Sequence, residues 1–360
     1  MGTAREENNV TNGRKAAGGA RSVTLSDVAE HAGVSLATAS RALNGSSRIV
    51  NDELKRRVLA SAAALRYTTN TQAQAVARGT SRTVAIVLGD ITDPYFATVA
   101  SGISRAAEHR GLVVTMATTG SDVERELTML AALRGQRPQA LIMTGSRRDD
   151  ADADARITVE LTGVQGVGTR VAFIGDAPAG FAGLPVAHRE GAAALATALL
   201  ERGYRDAAVL TGPTDLVTPI ERTRGFVQTM ERAGAPIPGE RRVAGAFSRD
   251  GGFEAMRRLL ETGTPPHLVF ATTDVMAVGA MSAIRAHGLE PGRDIAVAGF
   301  DDIQMLQDVT PTLSTVSLPL IQMGERALEL ALQARDAPDA EAPEPVVGRV
   351  VLRDSTPGLR

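Results

Sequence analysis

Apolar residues recur along this chain in two different rhythms, and the change between them falls near residue 82. Before it the spacing is helical. Leu25, Val28, Ala29 and Ala32 lie three and four positions apart and form one face of a short helix. Thr24 offers a hydroxyl N-cap, Asp27 an acid in the first turn, and Gly33 a residue that ends a helix in a left-handed backbone. Ser35 then caps a second helix. Its Ala39 and Leu43 lie one turn apart and pack on the first, while Leu36, Ala37, Ser40 and Arg41 face outward. A third helix opens at Asn51, with Val58 and Leu65 inward and Lys55, Arg56 and Arg57 available to phosphates. The first two helices and their tight turn predict a helix-turn-helix whose second helix enters the DNA major groove. After Tyr67 and Asn70, TQAQAVARG predicts a further short helical segment.

From residue 83 short apolar runs alternate with amphipathic helices. TVAIVL, LVVTMA, ALIMT and VAFIG predict strands; after His188 the alternation restarts with AAVLTG, VAGAF, HLVF and IAVAGF. Short apolar strands each followed by a helix imply parallel sheets. The restart implies two doubly wound lobes, with a ligand cleft at the carboxyl ends of the strands.

Composition sharpens this picture. An apolar content of 43% suffices for buried cores, and the absence of cysteine excludes disulfides and thiolate metal sites. The net charge of −2 conceals an asymmetry: residues 1–82 hold twelve Lys/Arg against six Asp/Glu, a net of +6, which leaves −8 on the remainder. A basic N-terminal module is what phosphate neutralisation requires. No apolar run approaches the ~20 residues a membrane-spanning helix needs. The segment MGTAREENNVTNGRKAAGGA lacks the apolar core of a secretory signal, so residues 1–21 are read as a disordered tail and the expected location is cytoplasmic, at the nucleoid. His31, His109, His188, His267 and His287 are scattered without metal-ligand spacing, and no nucleophile elbow, P-loop or HExxH occurs. The expectation is therefore a protein without catalysis, cofactor or metal.

The chain resembles the LacI/GalR family of bacterial transcriptional regulators. At the N-terminus the resemblance is carried by VTLSDVAEHAGVS, TASRALN, IVNDELKRRV, LRY and Asn70, almost continuously over residues 23–79. Further on it is carried by IVLGDITDPYF (86–96), ERTRGF (221–226), TTDVMAVGAM (272–281), IAVAGFDD (295–302), PTLSTV (311–316) and RDST (353–356). It implies an all-α helix-turn-helix headpiece at 22–68 and a hinge helix and linker at 69–82. It further implies an α/β domain like the periplasmic binding proteins at 83–356, its lobes roughly 83–187 and 188–315, with later segments crossing between them. The expected function is sequence-specific repression. A homodimer would bind a pseudo-palindromic operator in double-stranded DNA and be switched by a small effector, a sugar or polyol, with a purine as the second candidate. The Pro/Ala/acid-rich tail after Leu330 is not a heptad helix of the kind a tetramer would need.

The resemblance also assigns residues. Arg41 aligns with the base-reading arginine, whose guanidinium bonds guanine O6 and N7. Leu36 and Ala37 occupy the two specificity positions; Ser35, Thr38, Ser40 and Asn44 are expected at phosphates, and Tyr67 and Asn70 on DNA beside them. In the hinge, Thr69 stands for the usual proline, Gln74 for an arginine and Val76 for a wedging leucine, which predicts a weaker hinge helix. In the effector domain the expected ligand residues are Tyr95 and Phe96 after an Asp93-Pro94 helix start, then Asp176, Arg222, Thr273, Asp274 and Asp301. Ala177 replaces the usual arginine beside Asp176, and Arg224 competes locally with Arg222. His188-Arg189 stands where the family usually carries Asp-Asn, which puts a ligand contact there in doubt. The competing reading is a solute-binding protein without transcriptional role, which predicts a signal peptide and no headpiece.

Overall fold

The structure, a computed structural model, describes residues 23–44, 51–68, 81–333 and 343–359. The chain divides into two compact units, Met1–Thr71 and Gln72–Arg360. The disordered tail expected at residues 1–21 and the hinge positions Thr69, Asn70, Gln74 and Val76 lie outside the described residues.

In the first unit three helices, α1 (Leu25–Ala32), α2 (Leu36–Asn44) and α3 (Asp52–Ala64), enclose a small core. Local chemistry sets their ends. The Thr24 hydroxyl accepts from the Asp27 amide at 3.3 Å and the Asp27 carboxylate accepts from the Thr24 amide at 2.7 Å, a reciprocal capping box. Gly33 closes α1 with φ 62° and ψ 42°. A Cβ there would be strained and would also lie 2.9 Å from the Arg57 Nη2. That guanidinium donates to the Ala32 carbonyl at 2.5 Å, at the open end of α1. Arg57 is thus a clamp between helices rather than the free phosphate contact expected of it, and Arg56 pairs with Glu53. Val28, Ala29, Ala32, Ala39, Ala42, Val58 and Ala62 are the buried core, with Leu43, Leu65 and Tyr67 packed on its edge.

The second unit holds two parallel sheets. The first is β1 (Thr83–Leu88), β2 (Val113–Thr118), β3 (Ala140–Met143), β4 (Arg170–Ile174) and β5 (Ala182–Leu184), in spatial order β2-β1-β3-β4-β5. Between them run α4 (Pro94–Glu108), α5 (Val123–Gln136) and α6 (Ala151–Gly166). The second sheet is β6 (Ala207–Leu210), β7 (Arg242–Val243), β8 (Leu268–Ala271) and β9 (Ala296–Ala298), in order β7-β6-β8-β9. It carries α7 (His188–Glu201), α8 (Val217–Arg232), α9 (Arg249–Glu261) and α10 (Asp274–Ala286). The chain passes between lobes through β10 (Thr315–Ser317), returns in α11 (Leu320–Gln333) against α4, and crosses again in β11 (Arg349–Val351), antiparallel to β10. This is the expected two-lobed, doubly wound architecture.

The differences are local. Of VAGAF only Val243 joins the two-residue β7, leaving residues 244–247 as a loop, and β5 and α6 are not foreseen from the pattern. In α6 the run ADADARITVELTGVQG mixes β-branched residues and glycine with no strong apolar stripe, so its helical spacing was faint.

Candidate effector cavity and recognition helix

In each sheet the strand order reverses beside a central strand, between β1 and β3 in one and between β6 and β8 in the other. Loops leaving the carboxyl ends of strands diverge at such points and open a crevice. Here the two crevices face each other around a cavity of about 400 Å³, within the range of small-molecule sites.

From the first lobe, Asp93 caps α4 by accepting from the Tyr95 amide at 2.9 Å, and Pro94 sits at the first helical position. This start places Tyr95 and Phe96 on the cavity wall, their rings edge to face with centroids 5.1 Å apart. Tyr95 also packs against buried residues of the second lobe. From that lobe come Arg222, Thr273 and Asp301. Arg222 is 2% exposed and donates to both Asp301 oxygens at 2.7 and 3.2 Å, to the Thr272 carbonyl at 2.7 Å and, through Nε, to His188 Nδ1 at 3.3 Å. Its guanidinium also lies 3.9 Å from the centroid of the Phe300 ring. Asp301 holds φ at 121°, a strained backbone for a residue with a side chain, and its amide donates to the Val316 carbonyl at 2.9 Å. The next residue, Asp302, accepts from Arg353 at 2.7 Å, so the RDST segment braces the strained turn.

Placement of α7 against α8 sets the Arg222–His188 contact. A Cβ on Gly225 would lie 2.1 Å from the Arg189 carbonyl oxygen, so only glycine lets the helices approach this closely. Burial and the neighbouring Arg222 charge push the His188 imidazole well below its ordinary range and keep it neutral. Because Nδ1 accepts from Arg222, the ring proton resides on Nε2. His188 therefore joins the cavity wall as a neutral donor, a role the sequence left in doubt.

Two expected ligand residues are not brought to this cavity. Asp176 follows Gly175 (φ 112°), which turns the chain away after β4; it is exposed, and Ile174 is the wall residue there. Asp274 is 1% exposed and points into the protein: its two oxygens accept from the Thr315 hydroxyl at 2.7 Å and the Ile303 amide at 3.0 Å. Burial, with the Asp301 charge nearby, pushes its carboxyl up to about 8. Arg224, the local competitor of Arg222, pairs with Glu221 on the surface.

Other wall residues carried no motif. Arg148 reaches from the first lobe to pair with Asp215 of the second and donates to the Ser121 carbonyl. Around that ion pair the backbones join, Asp149 N–H to the Asp215 carbonyl and Val217 N–H to the Arg147 carbonyl, each at 2.9 Å. Ser146 accepts from the Thr218 amide at 3.0 Å. This seam closes one side of the cavity.

In the headpiece, Ala39 is fully buried while Leu36 is 51% exposed, and Ala37 and Arg41 are exposed with it. Ser35 caps α2 by accepting from the Thr38 amide at 3.1 Å and shares a hydrogen bond with the Thr38 hydroxyl at 2.8 Å. Ser40 is half-buried, and Tyr67 is half-buried on the headpiece core. Asn44 ends α2.

Fold and site together define a class: a helix-turn-helix unit joined in one chain to a two-lobed ligand-binding unit. Comparison with known proteins makes this specific. Residues 24–70 match the model of the bacterial regulatory proteins of the lacI family, and residues 196–356 match the periplasmic binding protein-like domain. The HTH-type transcriptional repressor CytR of Escherichia coli (strain K12) is 30% identical over 86% of this chain and 89% of its own length. The ribose operon repressor of the same organism is 30% identical over 86% of this chain and 92% of its own. Among solved structures, the lac repressor dimer bound to operator and the anti-inducer ONPF superposes with a TM-score of 0.79 at 26% identity, covering 94% of this chain and all of that one. The CelR–cellobiose complex, a transcriptional regulator, gives 0.67 at 26% identity over 92% and 99% of the two chains. The chain belongs to the LacI family of bacterial regulatory proteins.

Proposed function

We propose that this protein is a transcriptional repressor that binds a pseudo-palindromic operator as a homodimer and is switched by a small polyhydroxylated effector, a sugar or related polyol. One observation carries the reading: a helix-turn-helix whose second helix keeps Leu36, Ala37 and Arg41 in solvent while Ala39 and Ala42 are buried beneath them. Apolar and cationic groups left outward on such a helix meet thymine methyls and guanine edges in the major groove. The repressors CytR and of the ribose operon, and the operator-bound and cellobiose-bound relatives, support the same role.

In this reading Arg41 reads a base, Leu36 and Ala37 tune the choice, and Ser35, Thr38, Ser40, Asn44 and Tyr67 position the headpiece on phosphates. Asn70 and Val76 act in the hinge between the headpiece at 22–68 and the effector domain at 83–356. Tyr95, Phe96, Arg222, Thr273 and Asp301 hold the effector. Asp176 sits where it reaches a ligand only by a movement of its loop, and Asp274 serves by fixing the loop that carries Asp301. On the edge strand β2 Val113 is 64% and Met116 55% exposed, apolar groups on either face of an unpaired edge that the second copy covers in the dimer. No helix among the described residues is long and apolar enough to cross a membrane. The protein works in the cytoplasm on the nucleoid and catalyses no reaction; the cavity wall is a binding surface.

Selection of bound duplexes from a random pool by the full chain tests the reading. An enriched pseudo-palindrome is expected. Weak, salt-sensitive binding without enrichment would instead describe a solute-binding protein carrying a basic segment.

A further inference from the structure

Every cation on the cavity wall is already matched by an acid. Arg222 spends four of its five N–H donors on Asp301, Thr272 and His188, which leaves a single hydrogen for a ligand. Arg148 is neutralised by Asp215. His188 is neutral. Two further wall carboxylates, Asp90 and Asp93, accept only local backbone hydrogen bonds, from Thr92 at 2.8 Å and Tyr95 at 2.9 Å. Among the described residues neither forms an ion pair. The wall therefore offers hydrogen-bond acceptors and aromatic faces in excess, and no uncompensated positive charge. On the second lobe the Thr273 hydroxyl is buried, borders the cavity and has no hydrogen-bond partner among the described residues, so it awaits a polar group of the ligand.

We propose that the cavity selects its effector by charge: it takes an uncharged or amine-bearing polyhydroxylated molecule and rejects the phosphorylated or carboxylated form, with Asp93 and Asp90 as the excluding groups. This rests on the reading of the cavity as the effector site. A phosphate or carboxylate placed here meets two unpaired acids in a partly desolvated space and finds no guanidinium that is not already spent. Hydroxyl or ammonium donors meet the same acids favourably. Burial pushes the Asp93 carboxyl up to about 6, with the charges of Asp301 and Asp90 adding to the rise and that of Arg222 opposing it. It follows that exclusion of anions strengthens as pH rises through that value.

Titration calorimetry of the full chain with matched ligands tests the proposal. The sets are ribose with ribose 5-phosphate; glucose with glucosamine, glucuronate and glucose 6-phosphate; and adenosine with its monophosphate. In whichever set binds, the anionic member should bind at least about tenfold more weakly at pH ~7.5 than its uncharged or amine-bearing counterpart. Asp93→Asn retains an N-cap acceptor for α4 while removing the charge, and should narrow that gap at least about threefold; Asp90→Asn is the second variant. An anionic ligand that binds as tightly as its uncharged parent overturns the proposal, as does a gap unchanged in both variants. If adenosine alone binds and its monophosphate is refused, the sugar reading falls while selection by charge stands. If no member of any set binds, both fall.

Discussion

Asp274 and Asp301 both belong to the ligand set that the family resemblance implies, and their hydrogen-bond partners separate their roles. Asp301 spends its charge on Arg222 at the cavity wall. Asp274 is walled in by Thr315 and Ile303, and its carboxyl is raised to about 8. A folded value above the unfolded one means that the folded chain keeps a proton which the unfolded chain releases. The stabilisation is then complete below pH ~4 and is lost as pH rises through the folded value. Asp274→Asn keeps both bonds, its amide oxygen accepting from Ile303 and its amide nitrogen donating to Thr315. The variant should melt about 2–4 °C above the parent at pH ~8.5 and close to it at pH ~4.5, a difference that melting curves at the two pH values measure. On the headpiece, Arg41 is exposed and its side chain supports nothing in the core. Arg41→Ala should leave the circular dichroism melt unchanged and erase preference at one G·C pair per half-site, a loss of about 1–3 kcal/mol in competition binding. Unchanged sequence preference would remove Arg41 from the reading surface.

At the scale of elements, what could be read from the chain was what is decided locally. The Thr24/Asp27 box, the Gly33 stop and the Asp93-Pro94 start each lie within four residues, so the helix ends were written in short motifs. β1 was legible over its full length because, after Thr83, VAIVL is an unbroken apolar run that is buried throughout. The seam between lobes was not legible. Arg148 and Asp215 are separated by 67 residues, and nothing near either one marks its partner. His188 was obscured for the same reason: its role comes from Arg222, brought alongside by the glycine contact between α7 and α8. Gly225→Ala should therefore push the helices apart, lower the urea midpoint by an amount equivalent to about 1–3 kcal/mol of stability, and weaken ligand binding with it. An unaltered midpoint would show that the close approach has room to spare.

Across the whole molecule the division of charge matches the division of labour. The basic segment ends where the acidic, two-lobed unit begins, so attraction to phosphates belongs to the headpiece while the remainder is repelled. A ligand held by groups from both lobes can favour one arrangement of the lobes over another, and only that difference in affinity can be passed on as a change in DNA binding. The most direct measurement is the affinity of the full chain for its selected duplex, at one stated salt concentration, with and without a ligand shown by calorimetry to occupy the cavity. A change of at least about fivefold is expected, matched by an equal change in ligand affinity when the duplex is present, because coupling between two sites is reciprocal. Identical operator affinity with the cavity filled and empty would contradict it.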